Sequence, residues 1–461
     1  MFLQRLSLAN FRNYLQLECE LPYPVVLFQG DNGQGKSNLL EAIYFLATTR
    51  SLRASSDREL INWHALDEPV PFARVDGTVM KSRGSLRVEV VIRADRPERA
   101  NSSLGEAGAS PLGLSKRIKV NGVVKRAMDL LGQVNVVMFA PQDLDLISGA
   151  PTLRRRYLDI VNCQVDLRYC RSLQQYNRVL TQRNHLLKQI REGKQPPETL
   201  GFWSEELVKS GSYLLWRRLE TVDALNDRLE VYFRRLTGSG KRLRMAYRST
   251  VGDAAGDAGL RGRGDAGSPL PVGEGPGVGS VPALPAGEGQ GEGSFSPLPV
   301  GEGPEVGAVP QHPALSATAD LFREGLRRYR RRETLQGVSL LGPHRDDLAF
   351  RADGIDMNVY GSRGEQRAVA LSLKLAEVEF LQEATGERPI LLLDDVMSEL
   401  DPGRRQLLLD TVGSAGQTLI TSTDLEPYSP EFLARAALFE IDEGAARLLR
   451  RPLVQQGPAE L

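Results

Sequence analysis

The chain has 461 residues, and its 58 lysines and arginines balance 58 aspartates and glutamates, so its net charge is zero. At 41% apolar and 25% charged it reads as a soluble globular chain of more than one domain, with no run approaching the ~18 apolar residues of a membrane span and no signal-peptide core in residues 1–8. Three cysteines without a C-x-x-C pair exclude a disulfide framework or a zinc finger and point to a reducing, cytoplasmic compartment.

Residues 1–150 alternate short strands with turns. Val25-Val26-Leu27-Phe28 reads as a buried strand and runs directly into Gly30-Asp31-Asn32-Gly33-Gln34-Gly35-Lys36-Ser37, after which residues 38–46 are helical. That order of strand, G-x4-G-K-[ST] loop and helix is a phosphate-binding loop. Its glycines let backbone N–H groups curl around phosphates, and the helix start favours their charge. Lys36 is expected to reach the β- and γ-phosphates of ATP, and Ser37 to offer its hydroxyl to Mg²⁺. Further on, Leu86-Arg87-Val88-Glu89-Val90 alternates as a strand, and Asn121-Gly122 between apolar runs predicts a tight hairpin.

Residues 151–251 change to a helical pattern, interrupted at Gln195-Pro196-Pro197-Glu198. This stretch is the first part of an expected helical lobe. Cys163 and Cys170 are expected on one helix as packing residues. Arg154-Arg155-Arg156, Arg234-Arg235 and Lys241-Arg242-Arg244 are basic clusters whose plain reading is solvated helix faces with nearby acidic partners.

Residues 252–313 differ in kind. They hold 17 Gly and 10 Pro but no Ile, Met, Tyr, Trp or Lys. Within them Pro269-Leu270-Pro271-Val272-Gly273-Glu274-Gly275 recurs as Ala283-Leu284-Pro285-Ala286-Gly287-Glu288-Gly289 and again as Pro297-Leu298-Pro299-Val300-Gly301-Glu302-Gly303. Units this short and this poor in apolar residues cannot offset chain entropy, so a disordered low-complexity insert is expected. It carries two arginines against eight acids, and the other 399 residues carry 56 basic against 50 acidic groups. The zero total therefore hides an acidic insert and a mildly basic body. Neutrality is no argument against a polyanionic partner.

Residues 314–335 read as a return helix of the lobe and contain Arg327-Arg328-Tyr329-Arg330-Arg331-Arg332. Five arginines in six residues make Arg327, Arg328, Arg330 and Arg331 the candidate DNA contacts, through phosphates and without sequence readout. From 336 to 461 strands and helices alternate again. Ser362-Arg363-Gly364-Glu365-Gln366 opens an amphipathic helix over residues 368–384, a second helix start suited to cradling a phosphate. Ile390-Leu391-Leu392-Leu393 is a buried strand ending in Asp394-Asp395. Asp394 suits Mg²⁺, and Asp395 suits a general base for an attacking water. Both lie more than 350 residues beyond the glycine loop. The expected fold is α/β: a P-loop ATPase head of the ATP-binding-cassette type assembled from both chain ends (1–150 and 336–461), with an inserted helical lobe.

Ser362, Gly364 and Glu365 resemble the cassette signature, which in that class meets the ATP of a second copy, and Ser398-Glu399-Leu400-Asp401 resembles its D-loop. The combination also closely resembles the RecF family of bacterial recombination-mediator ATPases. That likeness rests on Asn10-Phe11-Arg12-Asn13-Tyr14, the glycine loop with Asn38-Leu39-Leu40-Glu41-Ala42, and Thr49-Arg50-Ser51. It rests equally on Phe139-Ala140-Pro141-Gln142-Asp143-Leu144, Arg154-Arg155-Arg156-Tyr157-Leu158-Asp159 and Gly342-Pro343-His344-Arg345-Asp346-Asp347. It spans nearly all of the chain except 252–313. The resemblance implies an ATP-driven homodimer on single-stranded, gapped or linear double-stranded DNA and weak ATPase activity. It also implies recombinase loading with RecO- and RecR-like partners and support of the SOS response. It adds Arg12 and Asn32 as nucleotide contacts and Gln142 as the residue of a loop sensing the γ-phosphate. Two features depart from the cassette pattern. No histidine follows the strand beyond the paired acids, where Thr421-Ser422-Thr423-Asp424 stands instead, which implies slow turnover. The insert is the other. A transporter ATPase subunit is the alternative, opposed by the missing histidine and the long lobe; a guanine-reading N-K-x-D is absent.

Overall fold

The computed structural model of the chain describes residues 1–95, 113–255, 313–414 and 416–452. Most of the expected low-complexity insert lies outside these residues. Its two ends lie inside and are helical: residues 252–255 close the short helix Thr250–Ala255, and Pro313 begins the helix Pro313–Gln336. The apolar Val251 and Ala254 bury beside Phe322 and Leu326 of that helix, so the ordered lobe reaches further at both ends than composition suggests.

Three sheets organise the described chain. The strands β1 (Phe2–Phe11), β2 (Tyr14–Glu20), β4 (Phe72–Lys81), β5 (Gly84–Asp95), β6 (Gly113–Val120) and β7 (Val123–Lys125) make an antiparallel sheet in the order β2-β1-β4-β5-β6-β7. The predicted hairpin at Asn121-Gly122 joins β6 to β7, with both residues at positive φ. A second sheet has the order β15-β14-β3-β13-β12-β8, from β3 (Val25–Gln29), β8 (Val136–Phe139), β12 (Ile390–Asp394), β13 (Thr418–Ser422), β14 (Ala436–Asp442) and β15 (Ala445–Arg450). All its pairings are parallel except β14 with β15. A third, small sheet pairs β10 (Asp347–Ala352) with β9 (Leu243–Arg248) and β11 (Ile355–Asp356).

The parallel strands are apolar on both faces because both faces are covered. Val26 and Phe28 of β3, with Ile390 and Leu392 of β12, pack toward the antiparallel sheet and the helix Lys36–Thr48. Val25, Leu27, Leu391 and Leu393 face the other way, toward the helix Arg363–Thr385 and the lobe. Each such leucine or valine contributes about 1.5–3 kcal/mol by leaving water. The chain ends meet in this sheet: β3 lies between β13 and β14, and β12 and β13 come from the last quarter of the sequence.

The lobe is built from the helices Pro151–Val165, Leu167–Arg191, Leu200–Thr237 and Pro313–Gln336. Cys163 and Cys170 do not share one helix as expected. Asp166 breaks the run and caps the second helix by accepting from the N–H of Tyr169. Arg183 and Glu333 form a buried ion pair at 2.6 Å, joining the lobe helix Leu167–Arg191 to the helix that follows the insert. Removing either partner alone costs about 3–5 kcal/mol, because the other charge is left buried.

Candidate nucleotide-binding site

β3 ends at Gln29 and the glycine loop follows. A Cβ at Gly30 would collide with the carbonyl oxygen of Ile441 on the adjacent β14, so the close packing of these strands demands glycine there. Gly35 has φ +111, and a Cβ on it would run into the Asn13 amide. No side chain caps the helix that starts at Lys36, which leaves its first N–H groups for an anion.

The Lys36 ammonium lies over this loop and donates to the carbonyls of Gly30 at 2.5 Å and Asp31 at 2.8 Å. Burial lowers its pKa, against the opposing pull of Asp395, Asp31 and Asp394. Ser37 donates at 2.6 Å to Oδ1 of Asp394, the acid predicted to share its Mg²⁺. Asp394 is 1% exposed and also accepts from Thr421 at 3.0 Å and Arg53 at 2.7 Å. The hydroxyl of Thr421 in turn accepts the N–H of Asp395 at 2.9 Å. Asp395 is left-handed, φ 51, and burial raises the pKa of its carboxyl, helped by the charge of Asp394. The result is a buried acid at the strand end, then a more basic carboxylate turned out of the strand line beside Lys36.

Asp31 and Asn32 are exposed on the loop. Arg12, φ 53, makes a bidentate pair with Glu41 at 2.9 Å and donates to the carbonyl of Glu59. Its guanidinium therefore braces the loop helix. Gln142 is exposed on the turn Pro141–Leu144 and lines a cavity of about 220 Å³ that Arg53, Lys374 and Glu377 also line. Lys374 is a buried cation whose pKa burial lowers and Glu377 and Asp143 raise more, for a net upward shift.

Ser362 caps its helix and forms a reciprocal box with Glu365: the Glu365 N–H donates to Ser362 Oγ at 3.3 Å, and the Ser362 N–H to Glu365 Oε2 at 3.0 Å. Lys241 pairs with Glu365 at 2.9 Å, and these bonds hold the carboxyl down to about 2. Ser362 and Gly364 are exposed, and neither hydrogen-bonds the glycine loop of its own chain among the described residues. The structure joins them instead to the D-loop-like segment, through Arg367 to Glu399 and Arg404 to the Gly364 carbonyl.

The four candidate DNA-contacting arginines are exposed on the helix Pro313–Gln336. Arg328 and Arg327 share Glu324, and Arg330 donates to the Pro197 carbonyl. Of the other basic clusters, Arg154 is not a solvated helix-face residue: it is buried and forks onto Asp347 at 2.7 and 3.0 Å.

Sequence reasoning missed four residues of the site. Asn13 donates to the Gln34 carbonyl at 3.0 Å and accepts from Asn38 at 2.9 Å, and Tyr14 donates to the Gly35 carbonyl at 3.0 Å. Their motif was visible, but not this function. Of the two that hold Asp394, Arg53 carries no local signal, and Thr421 is marked in the sequence only by standing where a cassette histidine would, not as a partner of the acid.

A phosphate loop and an acid-tipped strand separated by one intervening parallel strand, with a signature-like helix start on the covering helix, define a P-loop ATPase head of the SMC and ATP-binding-cassette class. Residues 2–430 match the RecF/RecN/SMC N-terminal domain family. Within that class, the chain belongs to the RecF family of DNA replication and repair proteins. It is 39% identical over 449 residues to DNA replication and repair protein RecF of Herpetosiphon aurantiacus, covering 96% of this chain and 99% of that one. The same-named protein of Bacillus subtilis is 33% identical over 447 residues, covering 96% and 99%. A solved structure of the recombination mediator protein RecF with ATP, in the RecFOR pathway, superposes with a TM-score of 0.73 at 28% identity, covering 97% of this chain and 98% of that one. No helix among the described residues is long and apolar enough to cross a membrane.

Proposed function

We propose that this chain is an ATP-dependent DNA-binding protein of recombinational repair and replication. In this reading it dimerises on ATP, holds single-stranded, gapped or linear double-stranded DNA, and hydrolyses ATP weakly. With RecO- and RecR-like partners it supports recombinase loading and the SOS response in the cytoplasm. The head comprises residues 1–150 and 336–461. The observation that carries the ATP reading is the bond from Ser37 to Asp394, which brings the two elements of an ATP site together from opposite ends of the chain.

The donor set fits Mg²⁺: a serine hydroxyl and a carboxylate touch, few enough to leave the ion the waters it retains. Ser37 and Asp394 would hold it, and it would neutralise charge on the transferring phosphate. Lys36 exchanges its loop carbonyls for the β- and γ-phosphates. Asp395 accepts the proton of the water that attacks the γ-phosphorus as the bond to the β-phosphate oxygen breaks. Ser362 and Gly364, exposed and away from their own loop, are available to the γ-phosphate of a second copy. Arg327, Arg328, Arg330 and Arg331 contribute phosphate contacts.

An electrophoretic mobility shift with ATP, with ADP and with Lys36→Met tests the reading. DNA retention is expected with ATP alone and is lost in the variant. Retention indifferent to nucleotide and to Lys36 would refute the clamp.

A further inference from the structure

A cleft of about 750 Å³ opens between the far end of the loop helix and the lobe, within the range of a small-molecule site. Thr48, Thr49 and Arg50 form one wall, and Arg155, Arg156 and Arg178 come from two lobe helices. The helix Lys36–Thr48 rises about 1.5 Å per residue, so this wall is some 18 Å from the glycine loop. It is a separate place.

The charge of the cleft is only partly compensated: Asp346 and Asp347 lie near enough to Arg155 to favour its charge, but form no ion pair with it. Five arginines line it against a single carboxylate, Asp159. That carboxylate is already taken by Arg218, at 2.8 Å, and by the Tyr169 hydroxyl. Arg155 and Arg156 reach only backbone carbonyls, of Asp346 and Ser51. Arg50 and Arg178 are exposed at the mouth, on the head and on the lobe. No described carboxylate forms an ion pair with any of these four. Other lobe arginines in the fold do have acidic partners: Arg154 with Asp347, Arg183 with Glu333, Arg228 with Glu379 and Glu383. Holding four like charges around one cavity is unfavourable until an anion enters, and guanidinium forks are the side chains best shaped for phosphate. The remaining wall supplies an apolar floor at Met128, Leu131 and Ile160, against which a flat base can lie, and the amides of Gln174 and Asn177.

We infer that this cleft binds a nucleoside phosphate at a site distinct from the glycine loop, using Arg50, Arg155, Arg156 and Arg178 for the phosphate. The ligand is a free nucleotide or the terminal nucleotide of a DNA strand. The chemistry recognised is the same, and the second case rests on the DNA-binding function proposed above.

The full chain and an Arg50→Glu/Arg178→Glu variant test it. Both residues are exposed, so the fold survives the exchange, and one ATP equivalent at the glycine loop, lost on Lys36→Met, serves as the internal control. In calorimetric titration with ADP, a free nucleotide at the cleft gives two equivalents per chain in the parent and one in the variant. In anisotropy with a 5′-phosphorylated, recessed-end oligonucleotide, a strand end at the cleft gives at least about tenfold weaker binding in the variant and a salt slope lower by about two. One nucleotide equivalent in both proteins, together with unchanged oligonucleotide affinity, overturns the proposal while leaving the glycine-loop reading intact.

Discussion

Ser37 Oγ and Asp394 Oδ1 are 2.6 Å apart although 357 residues separate them. Only β13 lies between β3, which leads into the loop and helix of Ser37, and β12, which ends at Asp394, and Thr421 of β13 bonds the same carboxylate oxygen. The pair is thus held by the sheet itself. Ser37→Ala and Asp394→Asn are each expected to lower phosphate release by about 100-fold or more, the scale lost when one group stabilising charge in the transition state is removed. Ser37→Ala should also raise the Mg²⁺ concentration for half-maximal rate. A Mg²⁺ titration of ATP hydrolysis in both variants checks this, and an unchanged midpoint would remove Ser37 from the metal site.

Asn13 is expected to matter to nucleotide affinity without touching nucleotide. It holds the loop from outside, donating to the Gln34 carbonyl and accepting from Asn38, in the space a side chain on Gly35 would fill. Two bonds at about 1 kcal/mol each imply up to roughly thirtyfold weaker ATP binding in Asn13→Ala. Titration with a fluorescent ATP analogue measures this. Asn13→Asp keeps the acceptor for Asn38 and loses the donor to Gln34, so it should fall between the two. Equal affinity in all three proteins would assign the motif to folding alone.

The two halves of the ATP site were legible because each is a local pattern: a glycine spacing after an apolar run, and an apolar run tipped with acids. Their meeting was expected from the cassette-type assembly of both chain ends, but the strand order that brings it about is written in neither pattern. Arg53 lies in no motif and reaches Asp394 across the fold. The break between Cys163 and Cys170 was hidden because Asp166, in an otherwise helical run, reads as one more polar residue until its capping bond to Tyr169 is seen. Arg154 misled in the opposite direction: three arginines in a row read as surface, yet one of them is buried on Asp347, 193 residues away.

Ser362→Arg places a long cation at an exposed helix start that, among the described residues, makes no hydrogen bond to its own glycine loop. Loss of the serine cap costs about 1 kcal/mol, a small drop in melting temperature. ATP binding to a single head should persist, and ATP-induced dimerisation should vanish. Sedimentation velocity with and without ATP distinguishes the outcomes: a variant that still dimerises would show that this helix start does not face the nucleotide of a second copy.

His344 gives the fold a pH dependence of definite sign. Its Nδ1 meets the Tyr176 hydroxyl at 2.7 Å, and its Nε2 lies 3.3 Å from the Ser339 carbonyl. Burial, aided by the nearby Arg345, Arg155 and Arg183, lowers its pKa from 6.5 to about 4. The unfolded chain therefore takes up this proton first as pH falls. The stabilisation from a neutral buried imidazole is complete above pH 6.5, declines through the interval below it and is gone below about 4, up to roughly 3 kcal/mol in all. Urea midpoints of the parent chain between pH 7 and 4 should fall more steeply than those of His344→Asn, which has no proton to gain there. Parallel curves would mean that the imidazole is protonated in the folded protein, in place of the neutral ring that burial imposes.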